Sequence, residues 1–81
     1  MADADRISLA QLRDGSAPDG PEAFAGRPVH IWSGEHRLWW REGRAGYAAD
    51  RDAAGVYPFE DAVRATSHCG PEKRIEYVLA A

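Results

Sequence analysis

Residues 30–40 read HIWSGEHRLWW, and this stretch decides the fold. Two runs of strand character, residues 29–32 and 37–41, lie on either side of the tetrapeptide SGEH. Glycine at the first central position of a two-residue loop suits a type II′ turn. The stretch therefore predicts a β-hairpin with Gly34 and Glu35 at its tip.

That turn sets a register in which Trp32 lies opposite Arg37 and His30 lies opposite Trp39. Cross-strand partners share a face of the sheet, and faces alternate along each strand. One predicted face carries Val29, Ile31, Leu38 and Trp40, and the other carries His30, Trp32, Arg37, Trp39 and Arg41. The first face is typical of a hydrophobic core, so Trp40 is expected to be buried.

The second face, with two tryptophans and a histidine between two arginines, has two interpretations. In one, the N-terminal segment covers it, because its apolar side chains need a surface to bury against; these are Ile7, Leu9, Leu12 and Phe24. In the other, it is an exposed aromatic–basic platform. Such a platform could stack the bases of a single nucleic-acid strand or anchor a partner protein, since Trp and Arg are frequent binding hot spots.

The N-terminal third predicts a short helix followed by a loop. Residues 1–6 carry no structural signal, Ser8 can cap a helix over residues 9–13, and Gly15 can end it. Residues 15–28, rich in glycine and proline, are typical of a loop. A helix of about five residues cannot stand alone and must pack against the rest of the domain.

The C-terminal half predicts one main helix and a closing strand. A third strand can form around Tyr47. Residues 57–68 predict the helix, with Pro58 at its first position and Gly70 beyond its end. Its apolar face is formed by Phe59, Ala62, Val63 and Thr66. Residues 73–79 alternate as a strand does, with Ile75, Tyr77 and Leu79 on one side and Glu76 and Val78 on the other.

These elements together predict an α+β fold in a single domain spanning residues 1–81. We expect a small antiparallel sheet of three or four strands, built around the hairpin at residues 29–42 and the last strand at residues 73–79. One main helix packs on one face of the sheet, and the short N-terminal helix completes the domain.

Composition and charge narrow the function classes. The net charge is −3, which argues against direct binding of nucleic acid. The bases are concentrated in residues 27–51 between acidic flanks, which is only a modest bias. The sequence has no apolar run of about 20 residues, and its first ten residues lack the basic region and apolar stretch expected of a secretion signal. It has a single cysteine, which is typical of a reducing compartment. We therefore expect a cytoplasmic protein without membrane contact, as a monomer or dimer.

The titratable residues do not predict catalysis. His68 and Cys69 are adjacent at the end of the main helix, where a histidine is favoured by the helix dipole and a small thiol packs well. The acidic pairs Asp50/Asp52 and Glu60/Asp61 are explained as solvated surface. Metal-ligand spacings and phosphate-binding loops are lacking. We expect no enzymatic activity, no cofactor and no metal site.

Residues 31–78 resemble small uncharacterised proteins of bacterial prophages and gene-transfer-agent-like elements. The resemblance rests on the segments IWSGEH, WWREGRAGY, AAGVYPFEDA and TSHCGPEKRIEYV. They carry the frame W-x-R, G-Y, A-G-x-Y and E-x-A. Residues 1–28 lie outside it.

Small non-enzymatic proteins of such elements include anti-CRISPR inhibitors, and the chain resembles those that act on type I effector complexes. The resemblance implies that it binds a CRISPR–Cas effector subunit and prevents the capture of target DNA. Trp32 and Trp39 would be the anchors of that contact. Carboxylates that could engage a basic channel are Asp3, Asp5, Asp14, Asp19, Glu22, Asp50, Asp52, Glu60 and Asp61. The alternatives are a single-strand-binding accessory module, which would use Trp32 and Trp39 between Arg37 and Arg41, and a structural or assembly component of a phage particle.

Overall fold

The computed structural model of the chain describes residues 5–17 and 20–80. These residues form an α+β fold with one antiparallel sheet and two short α-helices. The strands are β1 (Arg6–Ser8), β2 (Pro28–Ser33), β3 (Leu38–Trp40), β4 (Tyr47–Ala48), β5 (Tyr57–Pro58) and β6 (Ile75–Leu79), and the helices are α1 (Leu9–Asp14) and α2 (Phe59–Ala65). The sequence predicted the fold class and the antiparallel sheet, but the sheet has six strands rather than three or four.

The central strand is β2, and the sheet order is β1-β6-β2-β3-β4. Strand β6 pairs along the length of β2 on one side. On its other side β2 pairs with two short strands, one after the other. Pro28 and Val29 pair with β5, and Trp32 and Ser33 pair with β3. The two unpredicted strands, β1 and β5, have three and two residues, which is too short for a periodic pattern.

The hairpin register differs from the predicted one by two residues. Trp32 pairs with Trp39 and Ser33 with Leu38, so residues 34–37 form a four-residue loop instead of a two-residue turn. Arg37 closes the loop with a φ of +59°. Because side chains alternate with a period of two, a shift of two residues leaves every strand residue on its predicted face. Only the partners change.

The core lies between the sheet and both described helices. Val29 and Ile31 of β2 and Tyr77 of β6 are fully buried on the face that α2 covers. The Phe59 ring of α2 lies 5.7 Å from the Tyr77 ring and 5.5 Å from that of Phe24, between ring centroids. Trp40 packs against this core but is only partly buried, whereas the sequence predicted it to be buried.

The N-terminal segment packs on this same face, not on the tryptophans. Ile7 pairs with Tyr77 across the β1–β6 ladder and therefore shares its side of the sheet. Leu9 and Phe24 are buried in the same cluster. The interpretation in which these residues cover Trp32 and Trp39 is wrong, because they are buried in the core on the other face of the sheet.

Helix boundaries follow local chemistry. Ser8 and Gln11 form a reciprocal capping box at the start of α1, and Gly15 ends it with a φ of +73°. Helix α2 is shorter than the predicted residues 57–68, because Tyr57 and Pro58 pair with β2 instead. Thr66 lies just past its end, buried, where its Oγ1 donates to the carbonyl of Ala62 at 2.9 Å.

Candidate functional site: the tryptophan face

The face of the sheet opposite α2 carries a compact aromatic cluster. We define this tryptophan face as His30, Trp32, Trp39, Ala48, Arg51 and Val78. Trp32 and Trp39 are direct cross-strand partners, and their ring centroids are 4.9 Å apart with an interplanar angle of 61°. The His30 ring meets Trp39 edge-on at 5.9 Å. Both indoles are half-buried, so each keeps surface available to a partner.

Arg51 is the component of this face that the sequence did not predict. It lies in the loop after β4, and its Cζ is 5.8 Å from the centroid of the Trp39 ring. Its Nη2 donates to the carbonyl of Leu79 at 2.6 Å, so the side chain reaches from one side of the sheet to β6. An isolated arginine in a polar loop carries no sequence signal for such a contact.

These side chains bury the apolar residues beneath them. Val78 is 1% exposed and His30 is 8% exposed, although both described helices pack on the other face. Ala48, the cross-strand partner of Trp39, is also buried. The tryptophan face is thus a shallow second core whose outer layer is formed by two indoles and a guanidinium group.

A buried hydrogen bond joins this face to the loop that carries Arg51. The Nδ1 atom of His30 lies 2.8 Å from the carbonyl oxygen of Gly55, and since a carbonyl only accepts, Nδ1 carries the hydrogen. The Gly55 amide donates to the carbonyl of Trp40 at 2.9 Å. A Cβ at position 55 would lie 2.4 Å from the amide nitrogen of Glu42. Glycine is therefore needed here for close backbone approach.

The arginine over a tryptophan ring is Arg51, whereas the predicted platform had Arg37 and Arg41 in that place. Arg37 belongs to the hairpin loop and not to β3. Arg41 follows β3, and its Nε donates to the carbonyl of Tyr47 at 2.8 Å, which covers an outward-facing carbonyl on the edge strand β4. The arginine that contacts Trp39 is Arg51 instead.

The acidic residues proposed as partner contacts fall on two separate surfaces. Asp50 and Asp52 are exposed, and they flank Arg51 in the sequence. Glu60 and Asp61 lie on α2, on the other side of the sheet. Glu60 accepts from the amide of Gly26 at 3.0 Å, and Asp61 pairs with Arg64 at 2.8 Å; both carboxylates therefore have structural partners.

The remaining carboxylates named from the sequence are scattered. Asp3 and Asp19 lie outside the described residues. Asp14 accepts from Ser16, and this hydrogen bond lowers the pKa of the Asp14 carboxyl. The described acidic side chains therefore do not merge into one continuous acidic surface.

Cys69 and His68 differ in burial, since His68 is exposed. Cys69 is buried, and burial raises the pKa of its thiol, which disfavours the reactive thiolate. The His68 Nε2 lies 3.8 Å from its sulfur. Among residues 5–17 and 20–80, no group of three or more His, Cys, Asp or Glu side chains could hold a metal ion.

The geometry of the tryptophan face suits docking of side chains better than stacking of bases. Stacking needs a free ring face, but Trp39 has Arg51 over its ring and Trp32 and His30 at its edges. A half-buried indole pair with a fixed arginine is typical of a protein-binding hot spot. Both outer edges of the sheet are formed by strands of three residues or fewer, β1 and β4, which leaves little edge for strand addition.

In the part of the chain that the structure describes, no helix is long and apolar enough to cross a membrane. No protein-family model, no curated protein and no solved structure matches the chain.

Proposed function

We propose that the chain is a non-enzymatic binding protein that docks a partner protein on the tryptophan face. The observation that supports this is a pair of half-buried indoles, fixed by Arg51, on the sheet face that neither described helix covers. Such residues are costly to leave in contact with water unless they are used. Their rigid positions reduce the entropy lost on binding.

We further propose that the partner is a subunit of a type I CRISPR–Cas effector complex in the cytoplasm of a bacterial host. Support for this choice of partner comes from the resemblance of residues 31–78 to small uncharacterised prophage proteins, since small non-enzymatic proteins of such elements include anti-CRISPR inhibitors. In this proposal Trp32 and Trp39 anchor the contact, and Asp50 and Asp52 attract a basic DNA channel. Occupation of that channel would block the binding of target DNA.

The test is a gel shift of target double-stranded DNA with a crRNA-loaded type I effector complex, with and without the purified protein. We expect loss of the DNA complex and co-elution of the protein with the effector on size exclusion. Unchanged DNA binding with effectors of several type I subtypes would refute the CRISPR proposal. A symmetric oligomer of the protein by itself would instead favour a phage assembly role.

A matched pair of variants locates the contact. Trp39→Ala should abolish inhibition, whereas Tyr47→Ala should retain it, because Tyr47 is a 42% exposed aromatic that is not part of the tryptophan face. Thermal unfolding of both variants separates loss of binding from loss of fold. Equal inhibition by the two folded variants would exclude Trp39 as an anchor.

A second candidate function, binding of a single nucleic-acid strand, is favoured by one observation at a different place. The exposed Tyr47 ring lies 5.0 Å from the His36 ring, beside the Arg41 side chain, and this grouping could stack a base and hold a phosphate. Salt-dependent binding of a fluorescent oligonucleotide that is lost in Tyr47→Ala and kept in Trp39→Ala would support it. Binding by neither protein nor variant would exclude it.

A further inference from the structure

A groove of about 450 Å³ lies between α1 and the beginning of β6, apart from the tryptophan face. Its lining is mainly apolar and includes Leu9, Ala10, Pro71 and Ile75. Leu9 and Ile75 are buried core residues at its base, while Ala10 and Pro71 are exposed in its walls. Two arginines, Arg13 and Arg74, also line it.

Both guanidinium groups are held in place by carbonyl oxygens. Arg13 donates from Nη1 to Cys69 at 2.7 Å and from Nη2 to Ser67 at 3.2 Å, where it covers the carbonyls beyond the end of α2. Arg74 donates from Nη2 to the carbonyl of Gly34 at 2.6 Å. Carbonyl acceptors position a guanidinium group but do not neutralise its charge.

Neither arginine of the groove forms an ion pair with a described carboxylate. Among the described residues, carboxylates lie within ion-pair distance of Arg6, His36, Arg64 and Lys73, but not of Arg13 or Arg74. Glu76, which also lines the groove, pairs with Arg6 at 3.1 Å. The groove thus combines an apolar lining with two arginines and one carboxylate, and that carboxylate pairs with Arg6 outside the lining.

We propose that this groove binds an acidic segment of a partner protein that carries aliphatic side chains. An aliphatic side chain would contact Leu9, Ala10 and Pro71, and neighbouring carboxylates would pair with Arg13 and Arg74. Guanidinium groups that are already held in position favour the binding of carboxylates, because the arginine side chains lose little conformational entropy when the ligand binds. A polypeptide segment supplies both kinds of group on one chain. The proposal is independent of the function assigned to the tryptophan face.

The test is an NMR titration of the full-length ¹⁵N-labelled protein with a blocked octapeptide of alternating aspartate and leucine. We expect saturable shifts of the amides of Leu9, Ala10, Gly70 and Ile75, with an affinity that falls about tenfold as salt is raised from low to high ionic strength. The control peptide, with asparagine in place of each aspartate, should not produce these shifts. Equal binding of both peptides would overturn the proposal.

Two variants make the site assignment specific. Ala10→Glu places a negative charge in the groove wall, and its position in the first turn of α1 suits a carboxylate, so the fold is retained. Ala25→Glu adds the same charge at an exposed position outside the lining. We expect peptide binding to be lost in the first variant and kept in the second.

The opposite or an equal response of the two variants would contradict the proposal. A third outcome is that the chemical shifts of the same four amides change with protein concentration in the absence of peptide. That result would show that a second copy of the chain occupies the groove, and it would also overturn the proposal.

Discussion

The Nδ1 atom of His30 donates a hydrogen bond to the carbonyl oxygen of Gly55 at 2.8 Å, from a side chain that is 8% exposed. This bond fixes the end of the loop whose other end carries Arg51. Arg51 in turn contacts Trp39 and the carbonyl of Leu79. The shape of the tryptophan face therefore depends on one buried contact between the central strand and a distant loop.

Replacement of His30 tests this dependence. His30→Asn keeps a donor close to the position of Nδ1, whereas His30→Leu has a similar volume and no donor. We expect His30→Leu to be less stable than His30→Asn by about 1–3 kcal/mol, because it leaves the buried Gly55 carbonyl without a partner. Urea unfolding followed by tryptophan fluorescence measures the difference. Equal stabilities would mean that the carbonyl finds another donor.

Gly55 should tolerate substitution less well than a glycine with positive φ. In Gly55→Ala the new Cβ would meet the main chain of Glu42 at 2.4 Å and of Arg41 at 2.7 Å, and main-chain atoms cannot move aside cheaply. We expect a loss of about 3 kcal/mol. Gly15→Ala is the control, since its Cβ meets nothing within 4 Å and only the left-handed backbone is strained; its cost should be about 1 kcal/mol. Urea unfolding of the two variants would refute this if their order were reversed.

The hairpin illustrates what the sequence could predict. The alternation of residues 29–32 and 38–40 assigns each side chain to a face, and the structure has the same assignment. The pairing was wrong because the loop has four residues, and loop length is determined in part by contacts outside the hairpin. Gly34 donates to the carbonyl of Arg74 at 3.0 Å and Glu35 to that of Lys73 at 3.1 Å. A local turn rule cannot include such partners.

The composition of the candidate site was predictable only for residues inside strands. Trp32, Trp39 and His30 follow from strand period, and they meet as expected on one face. Arg37 was assigned to the same face by extending β3 into the hairpin loop, and Arg41, which follows β3, uses its Nε on the Tyr47 carbonyl. Arg51 was missed because a long flexible side chain in a loop obeys no period. Its position depends on where the loop crosses the sheet.

Arg51 should stabilise the tryptophan face by its hydrogen bond and its contact with Trp39. Arg51→Met keeps most of the side-chain length but removes the charge and the donors. We expect a loss of about 1 kcal/mol in unfolding free energy and a more solvent-exposed tryptophan fluorescence. The matched control is Arg64→Met, on the exposed side of α2, which should leave the fluorescence unchanged. Identical emission spectra for the two variants would place Arg51 away from the indole in solution.

The two acidic pairs should differ in their effect on partner binding. Asp50 and Asp52 flank Arg51 in the loop after β4, whereas Glu60 and Asp61 lie across the sheet on α2. We expect the double variant Asp50→Asn/Asp52→Asn to slow association with the proposed effector complex severalfold at low salt. The double variant Glu60→Gln/Asp61→Asn should leave association unchanged and reduce stability by about 1 kcal/mol, since Glu60 accepts from the Gly26 amide. Surface plasmon resonance at two salt concentrations distinguishes the pairs, and a larger effect of the second pair would place the partner on α2.

The fold should become less stable in alkaline solution, beginning near the ordinary pKa of a thiol. Burial raises the pKa of Cys69 above 9.0 and that of Tyr77 above 10.0. The folded state therefore retains protons that the unfolded chain releases, so stability is complete below about pH 9 and falls as the pH rises, by at most about 1.4 kcal/mol per pH unit for each group. A hydrogen bond and ion pair with Glu35 raise the pKa of Lys73, and this contribution is also lost at high pH, above 10.5.

Urea unfolding between pH 8 and 10 should show a smaller decline in stability for Cys69→Ala than for the parent chain. A parallel decline of the two proteins would show that the thiol ionises equally well in the folded state.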